Sequence, residues 1–123
     1  MARIVQKFGG TSVADIDRIK SAALKVKREV DAGNEVVVVV SAMAGATNQL
    51  VAWARAISPL HDTIEYDSVV ASGEQVTSGL MALALQDLGS DARAWLGWQV
   101  PIRTDDRHGK ARIEAIDTGN IDR

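Results

Sequence analysis

Apolar residues in this chain alternate between short dense runs and longer stretches with helical spacing, the arrangement expected of strands followed by helices. Ile4-Val5 is a short apolar stretch that runs into Lys7-Phe8-Gly9-Gly10. Ile16, Ile19, Ala23, Val26 and Val30 then recur at three- and four-residue steps, with Asp17, Arg18, Lys20, Lys27, Arg28 and Glu29 mostly elsewhere. This predicts an amphipathic helix packed on a sheet, with Ser12-x-x-Asp15 as a capping box and Gly33-Asn34 as its exit. Val36 to Val40 is an unbroken β-branched run, which predicts a central parallel strand covered by helices on both faces. A small-residue polar loop follows, then a helix through Leu50, Val51, Ala54 and Ile57 up to Pro59, with Trp53 and these aliphatics in the core. Residues 63–72 predict a short helix, Gly73 a break, and residues 74–88 a longer helix closed by Gly89. Ala92 to Leu96 and Val100 to Arg103 predict short strands or one interrupted extended segment, and the polar tail from Thr104 is weakly patterned. The order β-α-β-α-α-β is that of an α/β/α sandwich, three layers around a mostly parallel sheet with right-handed crossovers.

Composition narrows the partners. The 123 residues suffice for one ordinary domain and are too few for two. Apolar residues at 46% and charged residues at 24% are globular proportions, so whole-chain disorder is not expected. A net charge of −2 gives no basic footprint for nucleic acid and favours small-molecule partners. With no cysteine, disulfides and thiolate catalysis are excluded. The amino terminus lacks the apolar core of a signal peptide, and the runs 36–40 and 80–85 are far shorter than a membrane span. The expectation is a soluble cytoplasmic chain without membrane partners. His61 and His108 have no partner at ligand spacing and read as surface or structural residues.

The chemistry concentrates in three places. Lys7-Phe8-Gly9-Gly10-Thr11-Ser12-Val13 joins a strand to a helix through two glycines, which let the backbone approach an anion near free N–H groups, while Lys7 adds a mobile charge. It is neither a Walker A loop, whose lysine follows the glycines, nor the G-x-G-x-x-G fingerprint. The plain alternative is a simple turn with Lys7 as a solvated strand end. Ser41 to Asn48 follows the buried strand, where open α/β sheets bind ligands. Thr47 either caps the next helix or faces a ligand, and Asn48 and Gln49 are further donors. Glu74, at a predicted helix start, is either a dipole-favoured surface cap or a binding carboxylate. Nothing in the loop suggests a nucleophilic serine.

The strings Lys7 to Val13, Val39 to Asn48 and Ser72-Gly73-Glu74, in that order and spacing, resemble the aspartokinases of the amino acid kinase superfamily. The resemblance covers essentially the whole chain but only about the first half of the family's catalytic domain. It implies an incomplete amino acid kinase (carbamate kinase-like) fold over residues 1–123, without the nucleotide-binding half or the ACT regulatory domains. It further implies transfer of the ATP γ-phosphate to the side-chain carboxylate of L-aspartate, an early step toward lysine, threonine and methionine. Lys7 would neutralise the transferred phosphoryl group, Phe8, Gly9, Gly10 and Ser41 would hold ATP phosphates, and Thr47, Asn48, Gln49 and Glu74 would hold aspartate. Glu74 would accept the substrate's α-ammonium group, and Mg2+ would arrive through the nucleotide phosphates. A homo-oligomer is implied for the full-length protein. Thr104 to Ala111 resembles a loop that the family carries after its substrate segment. Two other classes remain open: a different amino acid kinase, and a non-catalytic anion-binding or assembly module.

Overall fold

The computed structural model describes residues 1–59 and 63–122. Strands β1 (Arg3–Phe8) and β2 (Glu35–Val40) pair in parallel, with Arg3 opposite Glu35 and Phe8 opposite Val40. Between them lie a 3-10 turn, Gly10–Val13, and helix α1 (Ile16–Asp31). Asp15 caps α1 alone, its side chain accepting the Arg18 N–H at 2.9 Å. The expected capping box does not form, because Ser12 is taken up in the 3-10 turn, where its N–H donates to the Gly9 carbonyl at 3.0 Å. Past α1, Asn34 ties the two strands' starts together: its side-chain oxygen accepts the Ala2 N–H at 3.0 Å, and its amide donates to Glu29 at 3.1 Å.

The core forms where α1 lies on the sheet. Val13, Ile19, Ala22, Ala23 and Val26 are buried with Met81 and Leu85, and Phe8, Val36, Val38 and Val40 pack against them. Alternation along paired strands therefore directs Phe8 and the even-numbered valines toward the helices, and Val5, Lys7 and Val39 to the opposite face. That face is open: Val5 is 65% exposed and Val39 45%. The expectation of helices on both faces of β2 is not met among the described residues. The fold is α/β as expected, with two of the three layers present here.

Helix α2 (Ala46–Ile57) follows Gly45, whose φ of 80° is one a side chain would strain to adopt. The core placement of its apolar residues is corrected: Trp53 is 59% exposed, Ile57 is 88% exposed, and no residue of α2 is fully buried. This helix rests on the edge of the fold, chiefly against α3. Helix α3 (Thr63–Asp87) is continuous, so the expected break at Gly73 is also corrected. Gly73 is buried mid-helix, and a Cβ there would stand 3.0 Å from the Cβ of Ala42 and 3.5 Å from Leu50 Cδ1. The glycine serves close approach rather than a turn. Beyond α3, Gly89 closes the helix as expected, with the Ser90 N–H on the Leu85 carbonyl at 3.0 Å.

Residues 92–96 do not form the expected strand, and of the expected Val100 to Arg103 only Ile102 and Arg103 lie in one. The extended pieces are β3 (Ile102–Thr104) and β4 (Ile113–Ile116), an antiparallel hairpin, followed by the short helix α4 (Gly119–Asp122). Arg3 joins this tail to β1 through Asp122 at 2.9 Å. Trp98 is 73% exposed. His61 lies outside the described residues. Among those described, no helix is long and apolar enough to cross a membrane.

Candidate functional site

The three segments singled out in the sequence meet around one residue, Ala42. The Ser41 N–H donates to the Phe8 carbonyl at 3.2 Å, continuing the parallel pairing past the strand ends. Gly10 then passes so close that a Cβ would lie 3.3 Å from the Ala42 carbonyl oxygen. From the other side, Gly73 of α3 packs on the Ala42 methyl. The phosphate-loop candidates, the Ser41 loop and the Ser72-Gly73-Glu74 segment thus share one wall, at the carboxyl end of the parallel pair.

Individual side chains settle several alternatives. Phe8 packs against the core, so its contribution to a ligand is limited to its backbone. The first turn of α1 stands apart from the glycine motif at which an anion seat was expected. The 3-10 turn displaces it to Ile16, where Asp15 already supplies a carboxylate. The amides of Gly9 and Gly10 instead stand at the head of that tight turn. Thr47 is the second residue of α2 behind an N-cap glycine with no side-chain cap bond. It is half-buried, while Asn48 and Gln49 are exposed. Glu74 is exposed in the interior of α3, eleven residues after its start, which removes the helix-start cap as an explanation for it.

Two depressions flank the meeting point. One, of about 220 Å³, lies between α2 and α3 over Met43, Gln49, Leu50, Trp53 and Gly73. The other, of about 300 Å³, lies beside the glycine motif and is lined by Phe8, Ser12, Arg18, Ser21 and Lys25. Lys7 leaves β1 on the open face of the sheet and is not brought into contact with Glu74. Among the described residues neither of them makes an ion pair, so neither charge is consumed internally. Nor does any group of three or more carboxylates or histidines form a metal site among them.

The loop between β3 and β4 is more structured than a solvated turn. Asp105 accepts the backbone N–H groups of Arg107 at 3.1 Å and Arg112 at 3.3 Å, and the Arg107 guanidinium at 2.8 Å. These bonds, the guanidinium's foremost, hold the Asp105 carboxyl below the usual carboxylate range. Asp67 of α3, which the sequence did not single out, accepts the Gly109 N–H at 3.0 Å and lies 3.2 Å from the His108 Nδ1. His108 is therefore structural, and the only advance signal for Asp67 was its seven-residue spacing from Glu74.

Comparison with known proteins adds a family to this geometry. The model of the family described as "Amino acid kinase family" matches residues 2–123. An aspartokinase of Rickettsia bellii is 53% identical over 121 residues, which is 96% of this chain and 30% of that protein. Aspartokinase 2 of Bacillus subtilis is 51% identical over 118 residues, covering 96% of this chain and 29% of that protein. Among solved structures, aspartate kinase from Synechocystis superimposes with a TM-score of 0.71 at 46% identity, over 76% of this chain and 16% of its own. Aspartokinase III of E. coli, solved in complex with aspartate and ADP in the R-state, gives 0.78 at 25% identity, over 93% of this chain and 35% of its own. The chain spans about three-tenths of the length of the curated relatives it matches.

Proposed function

Because the chain belongs to the amino acid kinase family, we propose that it is the phosphate- and substrate-binding part of an ATP-dependent aspartate kinase. The observation that carries this reading is the convergence on Ala42. Segments 30 and more residues apart meet there, and those that close on Ala42 carry Lys7, on the open face of the sheet, and Glu74, exposed on α3, neither in an ion pair among the described residues. A polyphosphate needs the first charge and an amino acid's ammonium the second. The relatives' names and the aspartate and ADP bound to the E. coli enzyme support the same pair of ligands.

In this reading an oxygen of the aspartate side-chain carboxylate attacks the γ-phosphorus of ATP. A new P–O bond forms, the bond to the β-phosphate oxygen breaks, and 4-phospho-L-aspartate and ADP leave. The attacking carboxylate is already ionised at neutral pH, so no general base is required and none is assigned. Lys7 stabilises charge on the phosphoryl oxygens as they pass through the transition state. The amides of Gly9 and Gly10 and the Ser41 hydroxyl hold phosphate oxygens. Thr47, Asn48 and Gln49 contact aspartate, and Glu74 accepts its α-ammonium in a charge-assisted bond that selects an amino acid over a plain diacid. Mg2+ enters bound to the nucleotide phosphates, with several waters and few protein ligands. The full-length enzyme is a cytoplasmic homo-oligomer. The test is aspartate-dependent ADP release by a chain extended to the relatives' full length, with the acyl phosphate trapped by hydroxylamine. Phosphoryl transfer to another amino acid, or none, would overturn the assignment.

A further inference from the structure

Helix α3 presents one continuous side from its carboxyl to its amino half. Leu85 and Met81 on that side are buried against α1, and Glu74 and Asp67 continue it at seven-residue steps, two helical turns apart. Two turns advance about 10 Å along the axis, so Asp67 stands just beyond Glu74 on the same side. The β3–β4 loop is fastened at that point. Asp67 accepts the Gly109 N–H at 3.0 Å and faces His108 Nδ1 at 3.2 Å with the same carboxylate oxygen. Gly109 approaches the helix closely: a Cβ there would be 3.8 Å from Thr63 Cγ2, and its φ of 82° suits glycine. Asp105 meanwhile holds the loop's own shape through Arg107 and Arg112.

We infer that Asp67 is a positioning residue, which docks the Asp105–Arg112 loop on α3 as the end wall of the amino-acid site around Glu74. This rests on the proposed aspartate kinase reading. A wall fixed there closes the amino-terminal end of the side on which Glu74 stands exposed, and confines the substrate's ammonium end. Loosening it weakens amino-acid binding without altering the phosphate contacts, which lie on the far side of Ala42. Arg107 is already paired with Asp105, so the loop brings its guanidinium to the site in a fixed orientation rather than as a mobile charge.

The test uses a chain extended to the relatives' full length, with Asp67→Ala, Asp67→Asn and His108→Gln. Hydrogen exchange across residues 105–112 reads docking, and steady-state kinetics read the site. Asp67→Ala should speed exchange at Gly109 and raise the KM for aspartate roughly tenfold, with the KM for ATP within about twofold. Asp67→Asn keeps an oxygen acceptor for the Gly109 N–H and should recover much of both effects. Faster exchange with an unchanged aspartate KM overturns the wall, and unchanged exchange overturns the docking role. Equal rises in both KM values would show a general structural defect and also sink the inference. A wild-type chain that binds no aspartate refutes the kinase reading instead, before any variant is made.

Discussion

Replacing Gly73 with alanine sets two opposing effects against each other, and the structure decides between them. In a helix interior glycine is less favourable than alanine by about 1 kcal/mol, so the substitution alone should stabilise α3. At Gly73, however, the new Cβ would sit 3.0 Å from the Cβ of Ala42, which is itself only 5% exposed and held in the Ser41 loop. Carbon atoms prefer separations of about 3.5–4.0 Å, and overpacking of a buried site costs about 1–3 kcal/mol. The net expectation is a loss of about 1 kcal/mol. Gly79 provides the control within the same helix, because a Cβ there meets nothing within 4 Å. Gly79→Ala should therefore gain about 1 kcal/mol. Urea unfolding of both variants measures the contrast, and Ala42→Gly in the Gly73→Ala background should recover part of the loss as a coupling energy. The same displacement separates the Ser41 loop from the Glu74 helix, so the aspartate KM should rise with Gly73→Ala alone. Stabilisation of similar size by both alanines, with no coupling to position 42, would refute the close contact on which the site's assembly depends.

Other expected outcomes concern the charges. Lys7→Ala in the full-length enzyme should cost about 3 kcal/mol of transition-state stabilisation, seen in kcat far more than in aspartate binding, and an unchanged kcat would return Lys7 to a solvated strand end. Glu74→Gln should cost roughly 1.5–3 kcal/mol in aspartate binding and less for succinate, which lacks the amine; competition binding with both ligands reads the difference. The isolated residues 1–123 should release no ADP in response to aspartate, and robust turnover by them would contradict the site as drawn. Asp105, whose folded-state carboxyl is held below the ordinary value, contributes order to its loop above about pH 3.9 and loses it as pH falls through the folded value. Hydrogen exchange in residues 105–112 should accordingly accelerate on acidification, and Asp105→Asn should show faster exchange already at neutral pH.

What the sequence conveyed depended on whether the deciding force was local. Ile19, Ala23 and Val26 repeat at helical spacing because one side of α1 is buried, so the helix and its buried side were both legible. Gly73 was not, since a glycine that breaks a helix and one that admits a neighbour look alike until Ala42 is seen across the gap. Trp53 and Ile57 looked like core for a related reason: α2 has an apolar side, but nothing in its own pattern says that the side lies at the edge. The strands β3 and β4 are three and four residues long and exposed throughout, so little alternation marks them, and only Ile102 and Arg103 of β3 fell within an expected extended segment. In the candidate site, the order of loops after strands pointed to Ser41 and Thr47, the strand-glycine-helix pattern to Lys7, and the family resemblance gave Lys7 and Glu74 their expected roles. Asp67 stayed hidden because its partner is 41 residues away and hydrogen-bonds partly through backbone.

The open face of the sheet bears on how strong the site can be. Lys7 shares that face with Val5 and Val39, two valines that are about half-exposed or more, so its charge lies in water. An ion pair at 4 Å is worth about 1 kcal/mol in bulk water and about 4 kcal/mol at the effective dielectric of a protein surface site. The lysine's expected contribution to phosphoryl transfer, about 3 kcal/mol, falls above the first value and within the second. Lys7 can therefore act at full strength only when the Val5 and Val39 face is covered and water is displaced from around the phosphates. The five-valine run of β2 is consistent with such a cover, since a strand meant to face solvent on one side would alternate. The curated relatives are about three times as long as this chain, which leaves ample sequence to form it. Glu74 differs, because in the proposed reading its charge-assisted bond to an ammonium group would need only α3 and the loop inferred to wall that site. Amino-acid recognition should thus survive in a partly covered domain that has lost catalysis, and measuring aspartate binding and turnover together across progressively extended chains separates the two requirements.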